Sequence, residues 1–284
     1  MKLALFPLLS VLVLVAIAAA APKEGQKAAS KPASAPTTFA IDRTKYRIAY
    51  SADGNQHDPD DIAASPMAIA MAGQAGLIDR VVHFQYANHL GDNSDKMEAS
   101  MIESVEGAAK RWGLPKDRVF NCQKDLDGAI AHLARCINQS SESDRLYLIA
   151  AGPMETVWRC IDASDKAKRR FCTVVSHSTW NEKHADTPEM KHTWDDVKKT
   201  GVETIDISDQ NRNLNNPVGE WDWLKAGAAD WQWLHERRKT KNFDVSDSGM
   251  MWFVLTGRGD QQGTPAKVKS LFESAKPASA PAKP

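Results

Sequence analysis

The chain is short of several things, and each shortage excludes a class of protein. Four cysteines in 284 residues are too few for a scaffold knit by disulfides. Charge of one sign is missing: Lys+Arg and Asp+Glu both number 36, for a net charge of zero. That removes the basic excess a general nucleic-acid binder carries. After the first twenty residues no apolar run reaches the ~18 residues needed to span a bilayer, so no integral membrane protein is expected once the leader is cut. There is no G-x-x-x-x-G-K phosphate loop. There is no C-x-x-C, and no histidine lies three to five residues from another ligand pair, so local spacing makes no zinc site. No G-x-S-x-G elbow surrounds Ser176. What remains is 42% hydrophobic and 25% charged, enough for a packed core.

The ends read as non-core. Lys2, the apolar run Leu3 to Ile17, and Ala18 to Ala21 form an export signal over residues 1–21, which predicts a secreted or periplasmic protein. Residues 22–39 are rich in Lys, Ala, Ser and Pro, and the string KPASAP occurs at 31–36 and again at 276–281. Such segments have little apolar surface to offset chain entropy, so 22–39 and 275–284 are expected to be a linker and a disordered tail. The folded part is then 40–274. Export permits disulfides among Cys122, Cys136, Cys160 and Cys172. Cys160–Cys172 and Cys122–Cys136 close short loops and are the preferred pairing; four buried thiols are the alternative.

Within 40–274 apolar runs alternate with helical patterns. Strands are predicted at 46–51, 81–86, 119–122, 146–151, 171–176 and 202–207, and helices at 60–77, 94–112, 126–138 and 156–163. Ser65-Pro66 suits a helix cap and first residue. The alternation predicts a single α/β domain, a mostly parallel sheet with helices on both faces. Ligands in such folds sit at the carboxyl ends of strands. Those ends carry polar residues in turn: Asp53 and Asn55, Asn88 and His89, Gly152-Pro153, and His177. Beyond about 208 the pattern changes to an Asn-rich stretch at 211–219, expected as loop, and two W-x-W pairs at 221–233, expected to pack helices onto the sheet. The basic run 237–241 reads as a solvated face.

The densest chemistry is the run from Asp53 to Asp61, which holds Asp53, Asp58, Asp60 and Asp61 directly after a strand. Four carboxylates so close repel one another, and a hard cation such as Ca²⁺, which takes six to eight oxygen ligands, would relieve that. A solvated acidic turn capping the next helix is the plain alternative. The loop is not an EF-hand, because Gly54 is misplaced and the closing Glu is absent.

A strand followed by Asp, a short loop and Asp-Asp at a helix start resembles the opening signature of the nucleoside hydrolase superfamily, Asp-x-Asp-x-x-x-Asp-Asp. Ala87-Asn88 at the second strand end is similar to the family's Gly-Asn. Leu148 to Thr156 is similar to its Leu-x-x-x-Gly-Pro-Leu-Thr-Asn. Asp247, after a polar loop and before an apolar run, resembles its last metal-binding Asp. The resemblance implies a nucleoside hydrolase-like fold and cleavage of an N-glycosidic bond with tightly held Ca²⁺. It implies Asp53, Asp61 and Asp247 as metal ligands, with a backbone carbonyl at Met154 or Glu155. It also implies Asp60 and Asn88 as sugar contacts, and Asn181 and Glu182 near the sugar's primary hydroxyl.

The loop departs from the signature by one extra residue, which sets Asn55 at the second Asp when the alignment starts from the first. No His precedes Asp247. Asp53 and His177 are the candidate catalytic residues. His57 and His89 are candidate donors to substrate or leaving group. The expected partner is a small sugar or nucleoside, with no nucleic acid and no membrane after signal cleavage; the oligomeric state is open. Two alternatives remain: a non-catalytic sugar- or nucleoside-binding protein on the same scaffold, and a metal-dependent phosphoesterase.

Overall fold

A computed structural model describes residues 42, 44–54, 61–91, 95–238, 240–257 and 260–274, with no side-chain description at 95–97. The expected leader, the whole expected linker and the expected tail lie outside the described residues. So do Asn55, His57, Asp58 and Asp60.

The first half is a run of strand–helix units. β1 (Tyr46–Ala52), α1 (Asp61–Gln74), β2 (Val81–Tyr86), α2 (Asp95–Trp112), β3 (Val119–Asn121) and α3 (Leu126–Asn138) come first. β4 (Arg145–Ala151), α4 (Glu155–Asp162), β5 (Cys172–Ser176), α5 (Thr179–Lys183), α6 (Trp194–Lys198) and β6 (Glu203–Asp206) follow. The six strands are all parallel, in the order β3-β2-β1-β4-β5-β6. This is one α/β domain, as the alternating pattern predicts. The order reverses between β1 and β4. At such a switch point the two strands leave in opposite directions to their helices, and a crevice opens beyond their carboxyl ends.

Period-two alternation sends successive residues to opposite faces. Ile48, Tyr50 and Ala52 of β1 join Tyr147, Ile149 and Ala151 of β4 in one apolar cluster, which also takes buried residues of α1 and α2. Ala49 joins Leu146, Leu148 and Ala150 in the other, with Val157 and Ile161 of α4 and Trp194 and Val197 of α6. Both faces are thus covered, which is why these strands read as almost unbroken apolar runs.

The second half covers the α1 side. It holds α7 (Asn211–Leu214), β7 (Asn215–Pro217), α8 (Asp222–Lys225), α9 (Ala229–Glu236), β8 (Asn242–Asp244), α10 (Ser248–Leu255) and α11 (Pro265–Ser274). Every residue of α10 is buried, and it packs on α1. The tryptophans behave as packing groups. Trp221 is fully buried against Phe243, and Trp223 and Trp231 meet Phe272 edge-on. The guanidinium groups of Arg111 and Arg237 lie 4.1 and 4.8 Å from the centre of the Trp233 ring.

Several local expectations are corrected. All four cysteines are free and buried. Cys136, Cys160 and Cys172 are packed as small apolar groups in the α3/α4 core, and Cys122 sits in a separate cluster with Leu90 and Met190. Ser65-Pro66 does not start a helix; Pro66 lies inside α1, which begins at Asp61. The Asn-rich stretch is not loop throughout: β7 pairs antiparallel with β8. Arg237 is not on a solvated face, because it is nearly buried and pairs with Glu103 at 2.6 Å. Among the described residues no helix is long and apolar enough to cross a membrane.

Candidate functional site

Asp53 leaves β1 at the switch point. Its backbone N–H donates to the carbonyl of Ala151 at the end of β4, 2.9 Å away. Next to it, Asn88 N–H donates to the Ala52 carbonyl at 3.1 Å. The three strand ends β2, β1 and β4 are therefore tied together just where their side chains turn polar. Gly152 is what lets them close. Its φ is +147°, and a Cβ there would stand 2.6 Å from the Cβ of Asp53 and 2.8 Å from Oδ1 of Asn88. Only a glycine fits both the backbone angle and that gap.

Asp61 opens α1 and turns back toward Asp53. The N–H of Gly54 donates to Asp53 Oδ1 and Asp61 Oδ2, each at 2.9 Å. Asp247, in the turn before α10, arrives from the far end of the domain. One carboxylate oxygen from each of Asp53, Asp61 and Asp247 lies within 4.8 Å of the other two, and all three residues are buried. At that spacing each pair of charges repels by roughly 3–4 kcal/mol at an effective dielectric near 20. A divalent cation between them reverses the sign of that energy. The donor set is all carboxylate oxygen, which matches Ca²⁺ or Mg²⁺ rather than a thiophilic ion. Asn88 offers a further clue. Its Nδ2 donates to Ser51 Oγ at 2.7 Å, while its buried Oδ1 has no hydrogen-bond partner among the described residues. That acceptor stands beside Asp53 across Gly152 and suits a sugar hydroxyl or another donor entering the cleft.

His177 is placed behind Asp247 rather than in front of it. Nε2 of this buried ring lies 2.7 Å from Asp247 Oδ1, and the N–H of Gln210 donates to Nδ1 at 3.4 Å. An accepting Nδ1 leaves the proton on Nε2, so the ring donates to Asp247. The expected catalytic candidate His177 thus stands in direct contact with Asp247. Asn181 is drawn to the same oxygen, with Nδ2 at 3.4 Å. Glu182 lies alongside; burial and then Asp206 push its carboxyl pKa up, and its buried Oε1 has no hydrogen-bond partner among the described residues.

The part expected of residues 154–155 is a backbone carbonyl, and the Glu155 side chain is engaged elsewhere. Its Oε1 accepts from Arg159 Nε at 2.7 Å. Its Oε2 accepts from the backbone N–H groups of Lys191 and His192 and faces His192 Nδ1. Burial raises the pKa of this carboxyl, and the hydrogen bonds from Lys191, Arg159 and His192 outweigh that to leave it lowered. The side chain anchors the 191–192 segment and does not join the aspartates. His89 also turns elsewhere, onto His184.

Sequence reasoning missed a buried polar line beneath the sheet. Gln85 Nε2 donates to Ser51 Oγ and Thr156 Oγ1, at 2.7 and 2.9 Å. Its Oε1 therefore accepts from His83 Nε2 at 3.1 Å, and His83 Nδ1 must accept from His132 at 2.9 Å. The line ends at Asn88 through Ser51. Burial drives the pKa of His83 down to about 3, so the ring is neutral. The signal was available: His83 and Gln85 are polar residues two apart in a strand otherwise apolar on both faces.

No family model matches the chain. A protein of Formosa agariphila, named uncharacterized protein P22, is 31% identical over 252 residues, which cover 81% of this chain and 91% of that protein.

Proposed function

We propose, for a chain that belongs to one family with the Formosa agariphila protein P22, an exported calcium-dependent hydrolase of an N-glycosidic or related glycosidic bond, with a nucleoside hydrolase-like site. The observation that carries this reading is the meeting of Asp53, Asp61 and Asp247 at the switch point, with oxygens within 4.8 Å. Their order along the chain matches the metal-binding aspartates implied by the resemblance.

Asp53, Asp61 and Asp247 would hold the ion, which supplies a lowered pKa for an attacking water and a grip on sugar hydroxyls. Asp53 would be placed to take a proton from an attacking water. Asn88 Oδ1 accepts a hydrogen bond from a sugar hydroxyl, and Asp60, outside the described residues, is assigned the same partner by the resemblance. The carboxylates around the cleft stabilise positive charge as it develops on the sugar ring. His177 and Asn181 fix the oxygen of Asp247 and leave its carboxylate no freedom to swing away.

The test is metal analysis of the purified protein, with a panel of nucleosides, glycosides and phosphate esters. Release of free sugar, lost in Asp61→Ala, is the expected result. Turnover confined to phosphate esters, or sugar binding with no turnover, overturns it.

A further inference from the structure

A second cluster stands beside the acidic one, and none of its three side chains is needed there. His89 Nε2 and His184 Nε2 are 3.0 Å apart. Asp186 Oδ1 lies 3.3 Å from the first and 3.1 Å from the second. Three ligand atoms thus form a small, nearly equilateral triangle. Edges of this kind are close to the ~3.3 Å separation of two donors on a tetrahedral ion with bonds of ~2.0–2.1 Å.

Hydrogen bonds alone cannot satisfy this triangle. A neutral imidazole carries one N–H. If both Nε2 atoms are protonated, each donates to Asp186, but two donors then face each other at 3.0 Å. If only one is protonated, the bare Nε2 meets the carboxylate lone pair to lone pair. One edge is repulsive in every neutral arrangement, whereas a cation accepts all three lone pairs at once.

The triangle is also held from outside. Ala87 takes a φ of +56°, a left-handed angle rare for a residue with a Cβ, and so turns the chain into Asn88 and His89. Ser178, which leads into the segment bearing His184, also takes a left-handed angle, +73°. Gln123 Nε2 donates to the His89 carbonyl at 2.9 Å, and Thr187 Oγ1 to the Leu90 carbonyl at 2.7 Å. Trp180 stacks on His184 with ring centroids 3.9 Å apart. Backbone strain on both sides and a stacked ring fix the donors before any ion arrives, which is what a preformed metal site needs.

We propose that His89, His184 and Asp186 bind a first-row divalent transition ion such as Zn²⁺, with a fourth position open to water. Two imidazoles and one carboxylate favour such an ion over Ca²⁺, so the two sites differ in chemistry. The ion staples the 184–186 segment to the end of β2 and fixes that wall of the cleft.

The full chain, without a polyhistidine tag and carrying Asp61→Asn to silence the acidic site, is stripped with chelator and titrated with Co²⁺. One Co²⁺ per chain is expected, with visible d–d absorption, displaced by Zn²⁺ and unmoved by excess Ca²⁺. His184→Ala should weaken binding at least tenfold, and Asp186→Asn should do the same. Asp186 has a side chain 55% exposed, so its variant keeps the fold if the histidine variant does not. Absence of Co²⁺ binding, binding unchanged in Asp186→Asn, or displacement by Ca²⁺ overturns the proposal.

Discussion

His177 donates to Asp247 across 70 residues of sequence, with Nε2 2.7 Å from Oδ1. The contact joins the end of β5 to the start of α10, and it orients the one aspartate that reaches the acidic site from the far end of the domain. Removing it leaves Asp247 in place with the longer contact from Asn181 to orient the same oxygen. His177→Ala is expected to weaken Ca²⁺ binding by roughly ten- to a hundredfold while helix content stays unchanged. Calorimetric titration checks this, and an unaltered affinity would detach His177 from the site.

Calcium should stabilise the folded chain by mass action. At one hundred times its dissociation constant a native-state ligand adds about 2.7 kcal/mol. Chelation is therefore expected to lower the melting temperature and Ca²⁺ to restore it, and the restoration by Ca²⁺ should vanish in Asp247→Asn. A melting curve indifferent to chelator would speak against the acidic site as a whole.

Gly152→Ala tests the closure of the strand ends. The new methyl would lie 2.6 Å from the Cβ of Asp53 on a backbone at φ +147°. A cost of about 1–3 kcal/mol is expected, with loss of Ca²⁺ binding beyond what the fall in stability explains. Thermal melts and calcium titration read the two effects apart, and a variant that binds like the parent would remove Gly152 from the site.

The buried line through His83 predicts a response to acid. The unfolded chain protonates this histidine below its ordinary pKa of 6.5, whereas the native ring stays neutral down to about 3. Between those values the unfolded state holds the extra proton. The contribution is complete above 6.5 and is lost as pH falls toward 3, by up to ~1.4 kcal/mol per pH unit. His132, lowered by burial and by Arg135, adds in the same direction. Denaturant melts of His83→Gln across this range should be flatter than those of the parent; parallel curves would refute the assignment.

The four thiols should be inert. Burial pushes Cys172 up to about 12 and raises the others. Reductant is expected to leave the melting temperature unchanged, and a thiol reagent should titrate four groups only after unfolding. A reductant-sensitive melt would reinstate the disulfides.

The sequence by itself determined the layered α/β domain. Alternation of apolar runs with helical spacing is local, and it placed β2 at 81–86 and α3 at 126–138 as they stand. It also marked the strand ends where polar residues follow apolar runs, because a buried strand must become polar where it leaves the core. Asp53 and Asn88 were legible for that reason, and Asp61 through the acidic run that leads into the next helix.

Only the tertiary structure decided what those ends do together. Strand order is set by long-range pairing, and it alone put β1 beside β4 and so Asp53 beside Gly152. It gave Glu155 to the 191–192 backbone and His177 to Asp247, choices that depend on neighbours dozens of residues away. His89 lies some ninety-five residues from His184 and Asp186, one just beyond β2 and the others just beyond α5, and they meet only when the sheet is assembled. Local patterns fix which face a residue takes; pairing between distant segments fixes which residues share a cleft.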